Sequence, residues 1–439
     1  MEVELARGSQ RSVTMPRLAH PAHPESTCSP GGSLAYPDGA CVRKGTCSPS
    51  GSLAYGRQTI DDADVAAVVE ALRSPLLTCG PLVARFEHAL ARWLGAPFAS
   101  VCSSGTAALH LAYAALRIGE GDEIITSPIT FSATAAAAYY VGATVRIADV
   151  DPLTGNLSPA SVEPLIGPRT RAIVPVHLGG QPADMDQLAD IARRRGVLLI
   201  ADACHALGAT YGGTRVGADD RADAVVFSFH PVKHITTGEG GAVIVRDPQI
   251  KARLDRLRHH GIERDPSRLS IPPAGAWVYE VQELGWNYRL ADFACALGIA
   301  QLAKLDGFLR DRRAIVAWYR EELERAFPDH GVRAPIELSN RESAYHLFAV
   351  AIDFERYGTS RGTVMRRLAE AEVGTQVHYI PLLHHPLHAN RCPGERARPR
   401  PGTDEYYART LSLPLYPTLS RDDVSYVVSQ LRRALGESQ

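Results

Sequence analysis

The chain has 439 residues, enough for two or three domains with ample core, and its 45% hydrophobic and 22% charged content is that of a water-soluble globular protein. Its 47 basic and 48 acidic side chains nearly cancel, so no global field favours nucleic acid or an anionic membrane, and neither is expected as a partner. No run approaches the roughly 18 apolar residues of a spanning helix, and the opening MEVELARGSQRSV lacks the apolar core of a secretory signal. Eight cysteines occur without a CxxC pair, and Cys102, Cys204 and Cys295 lie in apolar runs, which reads as reduced thiols in a cytoplasmic protein.

Residues 1–52 are rich in Pro, Gly and Ser and contain an imperfect repeat, TCSPGGSLAY at 27–36 and TCSPSGSLAY at 46–55. Two short copies do not make a solenoid, and so little apolar surface predicts disorder. Cys28, Cys41 and Cys47 are spaced by thirteen and six with no paired histidine nearby, so no metal knuckle is expected.

From Tyr55 the pattern turns globular. Asp61 or Asp62 can cap a helix through Leu72, with Val65, Val68, Val69 and Leu72 on one apolar face. A second helix runs from about Pro81 to Leu94. Helices at 106–117, 132–140 and 185–194 then alternate with strands at 123–126, 144–148, 172–176 and 197–201, and further strands follow at 224–229 and 242–246. Such alternation predicts an α/β unit, a mostly parallel sheet covered on both faces, with ligands outside the carboxyl ends of its strands. Helices at 291–304 and 308–327 lead to a strand-like 345–352, a helix near 363–371, the segment 376–380 and a last helix at 422–435. The expected division is a large domain over 53–305 and a smaller α+β domain over 306–439. Arg391 to Arg400, RCPGERARPR, reads as a Pro-rich surface loop.

The chemistry centres on one lysine. An apolar β-branched run ends at Ser228, Pro231 stiffens the loop, and Lys233 is presented before the turn TTGEGG and the next strand. A lysine held between two buried strands loses hydration, its pKa falls, and the neutral amine becomes a nucleophile towards a carbonyl. A lone loop lysine with its head in water fits the same letters, so other features decide. Ser103-Ser104-Gly105-Thr106 opens a helix whose first N–H groups suit a phosphate, although an ordinary capped helix looks the same. Neither GxGxxG nor a Walker A lysine occurs. Asp202 ends a buried strand, where a pyridinium nitrogen would supply the cationic partner a carboxylate needs, although a capping Asp before a loop looks the same. His205 either stacks on a flat ring or is a satisfied loop histidine. Phe131 after another strand either covers a ring face or is core, and Ser228 can reach the phosphate end of a molecule held by Lys233.

Together these are the requirements of pyridoxal 5′-phosphate. In this order, SSGTAALH (103–110), DACHALG (202–208), FSFHPVKHITTGEGGAV (227–243), GWNYRLAD (285–292) and TQVHYIPL (375–382) resemble the aspartate-aminotransferase-like fold, fold type I. More narrowly they resemble the DegT-type sugar aminotransferases, from about Tyr55 to Leu435. His205 and the FSFHPVK wording are most similar to members that aminate a UDP-linked 4-keto-6-deoxy sugar on the way to pseudaminic acid. The resemblance implies Lys233 as the cofactor lysine and Asp202 as partner of the ring nitrogen. It implies Phe131 and His205 beside the ring, and Gly105, Thr106 and Ser228 at the phosphate. It implies a homodimer in which Asn287 reaches the neighbouring site, although by itself Asn287 is a loop residue. Tyr55, His378 and Tyr379 match positions lining the nucleotide-sugar pocket, and L-glutamate is the implied amino donor. Cys79 departs from the polar residue common at its position. Among His378, His384, His385 and His388, Pro386 breaks helical spacing and no carboxylate pair is near, so no metal is expected.

Three rivals share these features. Dehydrating relatives carry histidine at the lysine position, where this chain has Lys233. A non-catalytic binding or regulatory protein has no need to keep Lys233, Asp202 and Ser228 together. Amino-acid aminotransferases of the fold use a small-domain arginine for the α-carboxylate, and no position here takes that role. Within the sugar enzymes, a 3-keto or dTDP-linked substrate is the alternative.

Overall fold

The computed structural model describes residues 51–436, and the expectations for residues 1–50, the disorder and the Cys28, Cys41 and Cys47 spacing among them, lie outside the described residues. Seven short strands form the central sheet: β1 (Phe98–Cys102), β2 (Glu123–Thr126), β3 (Thr144–Ile147), β4 (Thr170–Val174), β5 (Leu198–Asp202), β6 (Ala224–Ser228) and β7 (Gly241–Val245). Their order is β1-β7-β6-β5-β4-β2-β3, with β7 antiparallel to both neighbours and every other pair parallel. β1 escaped the sequence reading. Its five residues FASVC sit between a helix end and the Ser103 turn, too short a run to separate from its flanks.

Successive strand residues point to opposite faces, and the core divides accordingly. Val101, Ile125, Ile173, Leu199 and Val225 join one apolar cluster with helices α2 (Pro81–Leu94) and α5 (Met185–Arg195). Cys102, Ile124, Val174, Ile200 and Val226 join the other, with α3 (Gly105–Ala115) and α4 (Ala133–Tyr140). Burial on both faces explains the unbroken apolar strands, and the layered α/β expectation holds.

A third cluster gathers α6 (Leu305–Ala326), α7 (Arg361–Glu370) and α8 (Arg421–Ala434) against strands β8 (Val332–Arg333), β9 (Phe348–Ile352) and β10 (Thr410–Leu413), ordered β8-β9-β10. Leu53 belongs to this cluster and bridges to Val373, so Tyr55 arrives at the site from that side.

One expectation needs correction and another refinement. Helix α1 (Asp62–Arg73) is capped by Asp61 as the pattern predicts, yet Val65, Val69 and Leu72 are 53%, 38% and 52% exposed. The helix instead turns Asp64 inward, where Gln301 and Lys304 donate to its carboxylate at 2.8 and 2.5 Å. The 391–400 segment lies mostly at the surface, as expected, but is anchored rather than free. Arg400 is buried and donates to Ile147 O and to the Glu395 carboxylate, which pins the segment to the edge strand β3.

Candidate active site

Residues just past the carboxyl ends of β2, β4, β5 and β6 converge on one cavity of ≈ 620 Å³. Strand order reverses between β2 and β4, and a reversal of that kind opens a crevice because the two connections leave the sheet in opposite directions. Gly105, Thr106, Phe131, Asp202, His205, Ser228, Lys233, Tyr55, His378 and Tyr379 all line this cavity. Asn287 does not. It is exposed, and its backbone bridges to His259. Cys79 is exposed with a φ of 57° and is no part of the wall.

Lys233 owes its position to a folded-back loop. Phe229 N–H donates to Gly240 O at 2.8 Å, Thr237 N–H to Phe229 O at 3.0 Å, and Lys233 N–H to His230 O at 2.8 Å. The side chain is half-buried, and burial lowers its pKa, opposed by the nearby Cys204 and Asp202. The direction is that expected of a lysine that must shed its proton to react.

Asp202, 6% exposed at the end of β5, accepts a 2.7 Å hydrogen bond from Thr134 Oγ1 and a 3.2 Å bond from Cys204 N–H. No lysine, arginine or histidine pairs with it among the described residues. A carboxylate so buried calls for a cation. At the other end, Ser104 caps α3 through Ala107 N–H at 3.0 Å. The Gly105 and Thr106 N–H groups before it have no carbonyl upstream in the helix, whereas Ala108 N–H already donates to Ser104 O at 3.0 Å. Gly105 leaves the approach open, since a Cβ there would fall 2.9 Å from Ser228 Cβ.

His205 is 5% exposed and its Nδ1 accepts from Gly179 N–H at 3.3 Å, which leaves the ring proton on Nε2 to face the Tyr379 hydroxyl at 3.0 Å. Burial first, then Lys233, His378 and His234, hold it neutral well below the usual histidine range. Its ring stacks on Tyr379, 5.9 Å between centroids at 27°. Phe131 is 61% exposed and 6.1 Å from the Tyr379 ring, which rules out the core reading of that residue. His378 Nδ1 bonds Ser412 Oγ at 2.8 Å and its ring lies 5.5 Å from that of Tyr55. His388 pairs instead with Ser132 and Tyr139.

Two residues of the site were missed by the sequence reading. Thr134 lies in an alanine-rich helix and shows its role only once α4 packs on β5. His346 Nε2 stands 3.4 Å from Lys233 Nζ. A histidine at the head of the apolar run HLFAVAI was its one signal.

Comparison with known proteins bears directly on this geometry. Residues 58–432 match the profile of the DegT/DnrJ/EryC1/StrS aminotransferase family. The chain belongs to that family. It is 37% identical over 377 residues to the UDP-4-amino-4,6-dideoxy-N-acetyl-beta-L-altrosamine transaminase of Campylobacter jejuni, across 85% of this chain and 95% of that protein. PseC of Helicobacter pylori, an aminotransferase involved in the biosynthesis of pseudoaminic acid, superposes with a TM-score of 0.80 at 29% identity, covering 88% of this chain and 99% of that one. The PLP-form of Streptococcus pneumoniae Spr1654 superposes at 0.78 with 26% identity, covering 88% and 98%. This DegT-family chain is therefore an aminotransferase of fold type I, with pyridoxal 5′-phosphate as its cofactor. The residues present fit that group. A buried acid without a cationic partner faces one end of the cavity, an open helix N-terminus with the Ser228 hydroxyl faces the other, and Lys233 stands in the same wall.

Proposed function

We propose that this DegT-family aminotransferase moves an amino group from L-glutamate to the C4 keto carbon of a UDP-linked 4-keto-6-deoxy sugar, as in the assembly of pseudaminic acid or a related surface glycan. The observation that carries this reading is the shared cavity of Lys233 and Asp202, whose wall contains histidines and hydroxyls but no arginine among the described residues. A wall of that composition suits a polyhydroxylated sugar better than an enzyme devoted to 2-oxo acids.

The proposed roles are these. Lys233 Nζ would hold the cofactor, and its amine, when free, would take the proton from the donor's α-carbon. The bound cofactor supplies an electron sink for the pair left on that carbon. Asp202 keeps the ring nitrogen protonated, Thr134 keeps Asp202 aimed, and Phe131 and His205 flank the ring. Gly105, Thr106 and Ser228 hold the phosphate. Tyr55, His378 and Tyr379 meet the sugar nucleotide at the mouth. The same Lys233 amine returns a proton when the sugar's ketone receives the nitrogen.

The working unit is proposed to be a cytoplasmic homodimer. Asn287 lies outside its own chain's cavity, and the segment that leads to it carries exposed apolar side chains, Leu284 at 89% and Trp277 at 74%. Val65, Val69 and Leu72 on α1 add to the apolar surface a second copy would cover.

The test is to load the enzyme with glutamate, offer UDP- and dTDP-linked 4-keto and 3-keto sugars, and identify products by mass spectrometry. Replacement of the C4 oxygen of a UDP sugar by nitrogen is expected. Amination of 2-oxo acids alone would overturn the reading.

A further inference from the structure

The segment Ala344–Leu347 crosses the end of β4 at Gly179-Gly180. Ala344 N–H donates to Gly180 O at 3.0 Å and Leu347 N–H to Gly179 O at 3.1 Å. Only glycine permits this crossing. Gly180 has a φ of 108°, and a Cβ there would lie 2.6 Å from Tyr345 N and 2.9 Å from His346 N. Buried Arg312 holds the segment from the other side through Tyr345 O at 3.2 Å, and His234 Nε2 donates to Ala344 O at 3.0 Å. So many independent anchors fix His346 rigidly, 5% exposed, with Nε2 turned towards Lys233 Nζ. Its Nδ1 is buried and hydrogen-bonds nothing among the described residues. A buried ring atom left without a partner is costly, and sites that tolerate it are commonly functional.

Among the described residues, His346 is the only histidine with a ring nitrogen within hydrogen-bond reach of the Lys233 amine. His205 is committed to Gly179 and Tyr379, His234 to Ala344, and His378 to Ser412. We propose that His346 is the positioning residue for Lys233, its Nε2 accepting one N–H of the ε-amine so that the amine's lone pair faces the cavity. The bond can form with ammonium or free amine, more strongly with the ammonium, so His346 need not gain or lose a proton during turnover. Its surroundings agree. Burial, then Lys233, His205, His234 and Arg312, push the imidazole well below the usual histidine range, so it stays a neutral acceptor, while Asp202 and Cys204 act on the lysine. The proposal rests on Lys233 being the cofactor lysine and takes no position on the sugar.

Two near-isosteric variants test it. His346→Gln retains an acceptor, and His346→Met removes it at similar volume. In cofactor-free protein, labelling of Lys233 by trinitrobenzenesulfonate is followed across pH by peptide mass spectrometry. An acceptor stabilises the ammonium, so the Met variant is expected to shift the labelling midpoint to lower pH, while the Gln variant stays near wild type. In the holoenzyme, the single-turnover rate with glutamate should fall on the order of tenfold to a hundredfold in Met, as for a misaimed reacting group. The glutamate KM should change little, and Gln should recover most of the rate. Equal midpoints and rates in Met and wild type, or a Gln variant no better than Met, overturn the proposal. Should Met fail to fold, Gln alone decides, since a shifted midpoint there is equally contrary. Labelling involves no sugar, so unchanged midpoints would leave the proposed function standing, and a wrong sugar would leave the labelling result standing.

Discussion

Thr134 Oγ1 donates a 2.7 Å hydrogen bond to Asp202 Oδ2, and so ties the strand-end acid of β5 to helix α4. Thr134 is itself held, its hydroxyl 2.8 Å from that of Thr130 and its carbonyl accepting from Tyr113 Oη at 3.0 Å. The acid is therefore aimed by packing that spans three elements. Thr134→Val keeps the shape and removes the donor. A hydrogen bond to a charged group contributes about 1.5–3 kcal/mol, so cofactor retention should weaken about tenfold to a hundredfold. Titration of cofactor-free Thr134→Val with pyridoxal phosphate checks this, and wild-type affinity would show that Asp202 needs no such aim.

Gly105 faces Ser228 so closely that a methyl group would have to displace it, at 2.9 Å from Cβ and 3.1 Å from Oγ. Gly105→Ala is expected to weaken cofactor binding at least several-fold while thermal stability stays near wild type. The substitution lies in the first turn of α3, where alanine is no worse than glycine for the helix. Equilibrium dialysis and a melting curve separate the two effects.

Of the ten residues that line the cavity from among those picked out in the sequence, Gly105, Thr106, Phe131, Asp202, His205, Ser228 and Lys233 stand beside a local signature, a strand end, a glycine turn or a Pro-stiffened loop, that sequence pattern can register. Tyr55, His378 and Tyr379 are reached only through the family resemblance. His346 has no such neighbour. Its role depends on Gly179-Gly180 passing under a segment more than 160 residues later, a contact set by tertiary packing. The α1 face misled for the opposite reason. Val65, Val69 and Leu72 follow the helical period well, but periodicity shows that a face is apolar and not which partner covers it. β1 was lost because five residues between two helices carry no alternation to measure.

If Asn287 serves the partner's site, defects in two chains should complement. Asn287→Ala and Lys233→Ala are each expected to be impaired. Unfolded and refolded together, they form mixed dimers with one intact site, and activity should recover to about a quarter of wild type. Absence of recovery, with mixed dimers shown by mass, would place Asn287 outside the chemistry.

Acid should destabilise the fold through histidines that are buried neutral. Burial lowers His110 to about 4 and His378 to about 3, and burial with Arg341 nearby lowers His177 to about 3. Below their ordinary value near 6.5 the unfolded chain binds protons that the folded chain refuses. Their stabilisation is therefore complete above about pH 6.5 and is lost as pH falls towards 3–4, by at most about 1.4 kcal/mol per unit for each group. Urea unfolding of the holoenzyme at several values between pH 7 and 5 should show stability rising with pH, and His177→Gln should flatten the slope.

The central claim is that one amine, Lys233 Nζ, carries the cofactor. Lys233→Arg should fold and still bind pyridoxal phosphate weakly, yet give no turnover, because a guanidinium keeps its proton. The most direct measurement is to reduce the purified holoenzyme with borohydride, digest it and locate the pyridoxyl group by mass spectrometry. The account predicts a single labelled peptide with the group on Lys233. A label on Lys251 or Lys304, or no label in protein that retains its cofactor, contradicts it.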